Sequence, residues 1–313
     1  NAASRKEGCG LMLVDLDRFK PVNDTLGHPV GDVLLKEVAQ RLAAALGESG
    51  RAGRLGGDEF EAVLPGVDEE GRLAALAEAV IGALSAPYTI GGHRIAIGAS
   101  VGIAISRPGR TLADALVKEA DLALYAAKRA GRGTYRFFAP EMHAEESERA
   151  MLESDLRAAI GGGQLRLAFQ PVVAAEGEAL AGFEALVRWS HPTRGLLAPA
   201  DFLPLAAATG LMPAIGEWVV RTACAEAAGW PDHLRLAVNL SAAELEHPPL
   251  AATLTGALAA AGLDPARLEL EIAEAAWLAD GPAARAALSG LKALGARLAL
   301  DDFGAGAASL LSL

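Results

Sequence analysis

The sequence predicts an α/β protein in two parts, an α+β domain followed by a partial TIM-type β/α barrel. Three observations carry that prediction. In the first half, a glycine pair with two acids, Gly56-Gly57-Asp58-Glu59, separates two apolar segments. Through the second half, strand-like runs alternate with helical stretches, as a parallel sheet or barrel requires. Four of those later runs carry an acid or an amide to what would be one sheet edge.

Length and composition set the frame. At 313 residues the chain has room for two ordinary domains, and 52% hydrophobic residues suffice for two cores. The expected division is a first domain over 1–138, a linker helix over 139–160 and a second domain over 161–313. A net charge of −11 argues against a nucleic-acid backbone as the main partner, while a single nucleotide needs only a local cationic pocket. Cys9 and Cys224 lie far apart with no CxxC, so a disulfide framework or zinc site is not expected and a reducing cytosol is the natural compartment. No apolar run reaches the length of a membrane span and no signal peptide is visible, so no membrane contact is expected within this stretch. The chain opens almost directly into a strand and closes straight after a glycine-rich turn, so both ends read as cut.

In the first domain, Leu11 to Asp17 is a nearly continuous apolar run, the pattern of a central strand buried on both faces. Asp15 and Asp17 share parity and so point to one side at its end. A carboxylate there needs a partner or a cation, although a strand-end Asp capping the next turn is also common. A helix follows to about Leu46, with Val33, Leu34, Val38, Leu42 and Leu46 as its apolar stripe. Asp32 near its start suits the helix dipole. Arg54-Leu55 and Phe60 to Leu64 flank the glycine pair, which can take the positive φ of a two-residue hairpin turn and lets an anion approach the backbone. Alone, the tetrapeptide reads as a hairpin with solvated acids at its tip; with a nucleotide, the two carboxylates could hold the metal of a phosphate group. A strand over 95–104 and a helix from Leu112 to about Ala130 complete the domain, the helix ending in Lys128, Arg129 and Arg132.

RLGGDEF, DLDRFKPVNDTLGHPVGD and ADLALYAAKRAGR resemble the motifs of the GGDEF family, diguanylate cyclases that condense two GTP into cyclic di-GMP. The resemblance implies that Asp15 and Asp58 ligate magnesium or manganese with the Leu16 carbonyl assisting. It implies that Asn23 and Asp32 contact the guanine, that Glu59 sits by the reacting 3′-hydroxyl, and that Gly56 and Gly57 lie against the nucleotide. Lys128 and Arg132 would hold the triphosphate, in a homodimer that brings two GTP face to face. Two departures stand out. Gly47 and Gly50 occupy the positions of the RxxD product-inhibition motif, which predicts no feedback through that site. The helix and DxLTGLxNR-type segment before the first strand have no counterpart.

A charged, helix-prone stretch over Glu141–Ile160 leads into the second domain, where strands are expected at 165–171, 182–189, 234–240, 268–272 and 298–301. Glu184 and Arg188 share parity on one strand, Asn239 ends another, Glu271 and Glu274 close a third, and Asp301 and Asp302 close a fourth. In a β/α barrel the C-terminal face is where chemistry is built. Any one of these is explained as a helix N-cap, and Asn239-Leu240-Ser241 looks like one; four in succession point to oxygen ligands for magnesium or manganese acting on a phosphodiester.

FEALVRW, VNLS, LELEIAE and LALDDFGAG, with Gln170-Pro171 and HPTRGLLAPADFLPLA, resemble the EAL family of phosphodiesterases that open cyclic di-GMP to the linear dinucleotide. The resemblance implies Glu184, Asn239, Glu271 and Asp301 as metal ligands and Asp302 as a bridging or orienting acid. Glu274 would support the site and Arg188 would hold a substrate phosphate. Ala273 stands where a Thr is usual and Ala207 where a Glu is usual. The family's later Lys, Glu and Gln have no counterpart before Leu313, so five parallel strands with an open edge and poor hydrolysis are expected. Together the motifs describe a cyclic di-GMP turnover protein of bacterial signalling. The alternatives are a GTP- and cyclic di-GMP-binding regulatory module, a phosphodiesterase activated by GTP, or a metal-dependent phosphodiesterase for another substrate. A longer parent chain could carry a membrane-anchored sensor.

Overall fold

The computed structural model describes residues 8–106, 113–175, 177, 179–246, 249–273 and 282–301. Two compact units, Asn1–Arg149 and Ala150–Leu313, divide the chain.

In the first unit the apolar run becomes β1 (Cys9–Asp17), buried at every position. It runs antiparallel to β3 (Glu59–Pro65) on one side and to β6 (Gly98–Ser106) on the other. Outside these lie β2 (Arg51–Gly56) and the parallel β7 (Tyr135–Phe137), giving the order β2-β3-β1-β6-β7. A separate ribbon joins β4 (Tyr88–Ile90) to β5 (His93–Ile95). Successive residues of a strand face opposite sides, and both sides of β1 are covered. Met12, Val14 and Leu16 pack into a core with helices α1 (Phe19–Leu26), α2 (His28–Leu46) and α3 (Glu70–Ser85). Leu11 and Leu13 pack under α4 (Ala113–Arg129) with Leu116, Ala120 and Leu124. Asp15 and Asp17 therefore emerge on the α4 side. The α2 stripe differs from expectation by one position: Val33 is exposed and Leu35 is buried in its place. α1 is a further helix, one the apolar pattern of the sequence does not predict.

Gly102 of β6 sets how closely α4 approaches the sheet. A Cβ there would stand 2.1 Å from the Ala120 carbonyl oxygen and from the Leu124 amide nitrogen, both backbone atoms that cannot yield. Gly102→Ala is expected to lower stability by about 2 kcal/mol by overpacking, read as a fall of roughly 5 °C in the first melting transition. An unchanged transition would show that α4 is not seated there.

The β2–β3 turn uses Gly57 and Asp58 as its two loop residues, because Gly56 pairs with Glu59. Only Gly57 has positive φ, +52°; Gly56 does not, which narrows the expectation for the glycine pair. A positive first residue and a negative second is the sign pattern of a type II′ turn. Arg54 closes it, donating from Nε and a terminal nitrogen to the Gly57 carbonyl at 3.0 and 2.7 Å.

The second unit follows α5 (Glu141–Gly161), within which the division between the units falls. Its strands are β8 (Leu165–Val173), β9 (Leu180–His191), β10 (Gly195–Leu197), β11 (Arg235–Leu240), β12 (Leu268–Ala273) and β13 (Arg297–Asp301). β9, β11, β12 and β13 are parallel neighbours, whereas β8 pairs antiparallel with β9, as does β10. This corrects the expectation of five parallel strands. Only residues 174–179 join β8 to β9, too few for the crossover that parallel pairing demands. The crossovers between the parallel strands are α6 (Pro199–Ala208) with α7 (Met212–Ala227), then α8 (Ala242–Leu245) with α9 (Leu250–Ala261), then α10 (Pro282–Ala293). They pack over Trp189, Leu236, Val238, Leu270 and Ile272 in one core. The HPTRG phrase closes the end of β9. The Nδ1 atom of buried His191 accepts the amide N–H groups of Thr193 and Arg194, and its Nε2 lies 3.2 Å from the Asp155 carboxylate.

Candidate functional sites

The first unit holds a cleft of about 690 Å³ at the end of β1, lined among others by Asp15, Leu16, Asp58, Lys128 and Arg132. Asp15 is 8% exposed, and its Oδ2 receives the Lys128 ammonium at 2.7 Å. Burial raises the Asp15 pKa; Lys128 opposes the rise, and the Asp58 and Asp17 carboxylates add to it. Asp58 is fixed through its backbone, whose carbonyl accepts the Leu16 N–H at 3.3 Å. Glu59 is exposed and lies directly across the ladder from Asp15, so both side chains leave the same face. Arg132 is 62% exposed and reaches Asp17 at 3.9 Å. A Cβ on Gly56 or Gly57 would meet nothing within 4 Å, so the turn is open to a ligand.

Oxygen donors and an ammonium against a buried acid describe a cation-accepting position. The Asp15 carboxylate, with Asp58 and Asp17 near it, could take a divalent ion where the Lys128 ammonium sits, although among the described residues no three such side chains converge closely enough to cage one. Lys128, expected on a triphosphate, is thus paired with Asp15.

Asn23 and Asp32 do not line this cleft. Asn23 lies against Gly31, where an added Cβ would be 1.9 Å from its Oδ1, and that oxygen is buried with no hydrogen-bond partner. Asp32, the next residue along α2, lines a second cleft of about 320 Å³ with Leu35, Lys36, Arg54 and Phe60. Sequence reasoning missed two features. The α1 N-terminus opens on the first cleft at Arg18, whose φ is +65° and whose side chain makes no cap, leaving N–H donors free for an anion. The other is the set of contacts around the buried Asp17 carboxylate. A Pro at the third helical position and the residues DRFK were the available signals for the first.

In the second unit the strand register collects the predicted residues. Ala237 pairs with Glu184, Asn239 with Glu271, and Ala273 with Asp301. The Asn239 amide donates to Glu184 Oε1 at 2.7 Å. Glu271 is pushed up to about 7, first by burial and then by the charges of Glu184, Asp301 and Glu269. Such mutual repulsion fits a cation, although among the described residues no three His, Cys, Asp or Glu side chains converge closely enough to cage one as they stand. Arg188, four residues beyond Glu184 on the same face, donates to the Val187 carbonyl. Glu274 and Asp302 lie outside the described residues.

A family model described as "Diguanylate cyclase, GGDEF domain" matches residues 1–134, and one described as "EAL domain" matches residues 153–313. The chain belongs to the tandem GGDEF–EAL proteins of cyclic di-GMP signalling. The bifunctional diguanylate cyclase/cyclic di-GMP phosphodiesterase MucR of Pseudomonas aeruginosa is 42% identical over 307 residues, 97% of this chain and 45% of MucR. The cyclic di-GMP phosphodiesterase PdeR of Escherichia coli is 36% identical over 307 residues, 97% of this chain and 46% of PdeR. This GGDEF–EAL chain therefore spans less than half the length of these curated relatives. Among solved structures, the S helix-GGDEF-EAL part of Vibrio cholerae LapD, bound to c-di-GMP, aligns over 99% of this chain and 73% of its own. Its TM-score is 0.61 at 18% identity, a likeness of fold. Both halves belong to families that are generally divalent-metal dependent. Among the described residues no helix is long and apolar enough to cross a membrane.

Proposed function

We propose that the GGDEF half condenses two GTP into cyclic di-GMP and that the EAL half binds cyclic di-GMP and opens it to linear pGpG. The observation that carries the first part is the shared cleft of Asp15, Asp58, Lys128 and Arg132. Two copies meet face to face, each holding one GTP, and the 3′-hydroxyl of each attacks the other's α-phosphate with loss of pyrophosphate. Glu59, on the face of Asp15, takes up the 3′-hydroxyl proton. Lys128 leaves Asp15 for the triphosphate, and Arg132 holds its outer phosphates. Asn23 and Asp32 read the guanine; the unpartnered Asn23 oxygen supports that role, since a guanine N–H would satisfy it.

In the EAL half Glu184, Asn239, Glu271 and Asp301 form the metal-holding edge, with Asp302 and Glu274 completing it, and Arg188 binds a substrate phosphate. When bound, magnesium or manganese held by these groups, or by Asp15, Asp58 and the Leu16 carbonyl, supplies charge neutralisation for the phosphates. The phosphodiesterase relatives support this part of the reading. Ala273 and Ala207, which depart from the usual residues, favour a second reading in which the EAL half senses cyclic di-GMP without cleaving it.

The deciding experiment separates products by chromatography after incubation with GTP and magnesium, and in parallel with cyclic di-GMP and manganese. Cyclic di-GMP from GTP is expected in the first. Linear dinucleotide in the second supports hydrolysis, and intact cyclic di-GMP with measurable binding supports sensing. Unchanged GTP would sink the cyclase reading.

A further inference from the structure

We propose that Asp17 is the positioning residue that aims Arg132 into the nucleotide cleft, a role that rests on the cyclase reading of that cleft. Asp15 and Asp17 leave β1 on the same side, yet their partners differ. Asp15 faces Lys128 and Asp58. Asp17 is 6% exposed and meets β6 and the turn after α4. Its carboxylate accepts the Ser100 hydroxyl at 3.0 Å and the Gly133 amide N–H at 3.0 Å, and the Arg132 Nε lies 3.9 Å away.

That turn is unusual in its backbone. Gly131, Arg132 and Gly133 have φ of +109°, +64° and +59°, three left-handed residues in a row. Glycine takes such angles freely, but Arg132 carries a Cβ, and a residue held there against its preference needs surroundings that enforce it. Asp17 supplies the tie at Gly133, and the Arg132 amide N–H donates back to Ala127 at 3.3 Å. Among the described residues the other non-glycine at positive φ is Arg18, and it lines the same cleft. The guanidinium remains largely exposed and only loosely paired, so an incoming polyphosphate can take it from Asp17 without breaking a close ion pair. Asp17 thus fixes the backbone that presents Arg132 and leaves its charge available. A buried acid that merely closes a turn would affect stability alone.

Asp17→Asn keeps the size of the side chain but loses the charge and one of two acceptor oxygens. It is expected to raise both the KM for GTP and the Kd of a fluorescent GTP analogue about tenfold, the scale of one charge-assisted hydrogen bond. The kcat should stay within about threefold. Because Asp17 acts through Arg132, the double variant D17N/R132A should bind no more weakly than R132A alone. If the Asn variant fails to fold, Ser100→Ala carries the test, with a KM rise of roughly threefold that disappears in the R132A background. Additive losses in the double variant, or wild-type affinity in D17N and S100A, would overturn the positioning role while leaving the cyclase reading intact. A wild-type chain that neither binds nor converts GTP would overturn both.

Discussion

Asp58→Ala is expected to lower cyclic di-GMP synthesis by about three orders of magnitude while leaving the fold intact. The size follows from removing a preorganised charge at the reacting phosphate, where single electrostatic groups contribute 10²–10³-fold or more. The fold should survive for three reasons. Asp58 sits at a partly exposed hairpin tip, its φ is not in the left-handed region, and it is held through the backbone carbonyl that accepts the Leu16 N–H. Alanine keeps all three. The Asp58 charge also raises the Asp15 pKa, so its loss relieves a repulsion on the buried Asp15. The melting temperature should therefore hold or rise slightly while product falls to background. Turnover equal to wild type would remove Asp58 from the mechanism; a collapsed melting transition would make its role structural.

Much of the architecture was legible because the period of the apolar residues fixes which elements form and which faces they bury. β1 is an example: a nearly continuous apolar run has both faces covered, and both are. The parity of Asp15 and Asp17 then placed both carboxylates on one side, and α4 covers it. In the second unit, the polar residues at the ends of successive strands meet through the parallel register, with Asn239 beside Glu271 and within hydrogen-bond reach of Glu184. What stayed hidden depends on contacts distant in sequence or on small local balances. Gly133 lies 116 residues from the Asp17 it anchors, and no spacing rule joins them. The pairing of Lys128 with Asp15 joins a helix end to a strand end far apart in the sequence, and no spacing rule foretells it. Val33 and Leu35, by contrast, are separated by the helical period itself: Leu35 lies three residues before Val38 and seven before Leu42, on the buried stripe, while Val33 falls off it and is exposed. The antiparallel β8 was readable in principle, since its link to β9 leaves no room for a crossover helix.

The electrostatics of the EAL site make the other large prediction. Glu271 has a folded-state pKa raised from 4.5 to about 7, by burial first and then by Glu184, Asp301 and Glu269. A raised carboxylate binds its proton more tightly in the folded chain than in the unfolded one. Its contribution to stability is fully present below pH about 4.5, declines as pH rises toward 7, and is gone above that. Without divalent metal, the second unit should lose on the order of 2–3 kcal/mol across that window through this group. The loss is read as a fall of roughly 5 °C or more in the second melting transition. Glu271→Gln removes the titrating group, so its transition should vary less with pH and stand above wild type at pH 8. On the proposed reading manganese or magnesium should reverse the order, because a cation held by Glu184, Asn239, Glu271 and Asp301 would bind the ionised carboxylates and add stability that grows with pH. Metal should therefore raise the wild-type transition far more at pH 8 than at pH 5, and should raise that of Glu271→Gln little at either. On that reading the repulsion that raises the Glu271 pKa is the same interaction that would favour a cation. Parallel melting curves for wild type and variant across pH, with and without metal, would show that Glu271 neither carries the strain nor holds the ion.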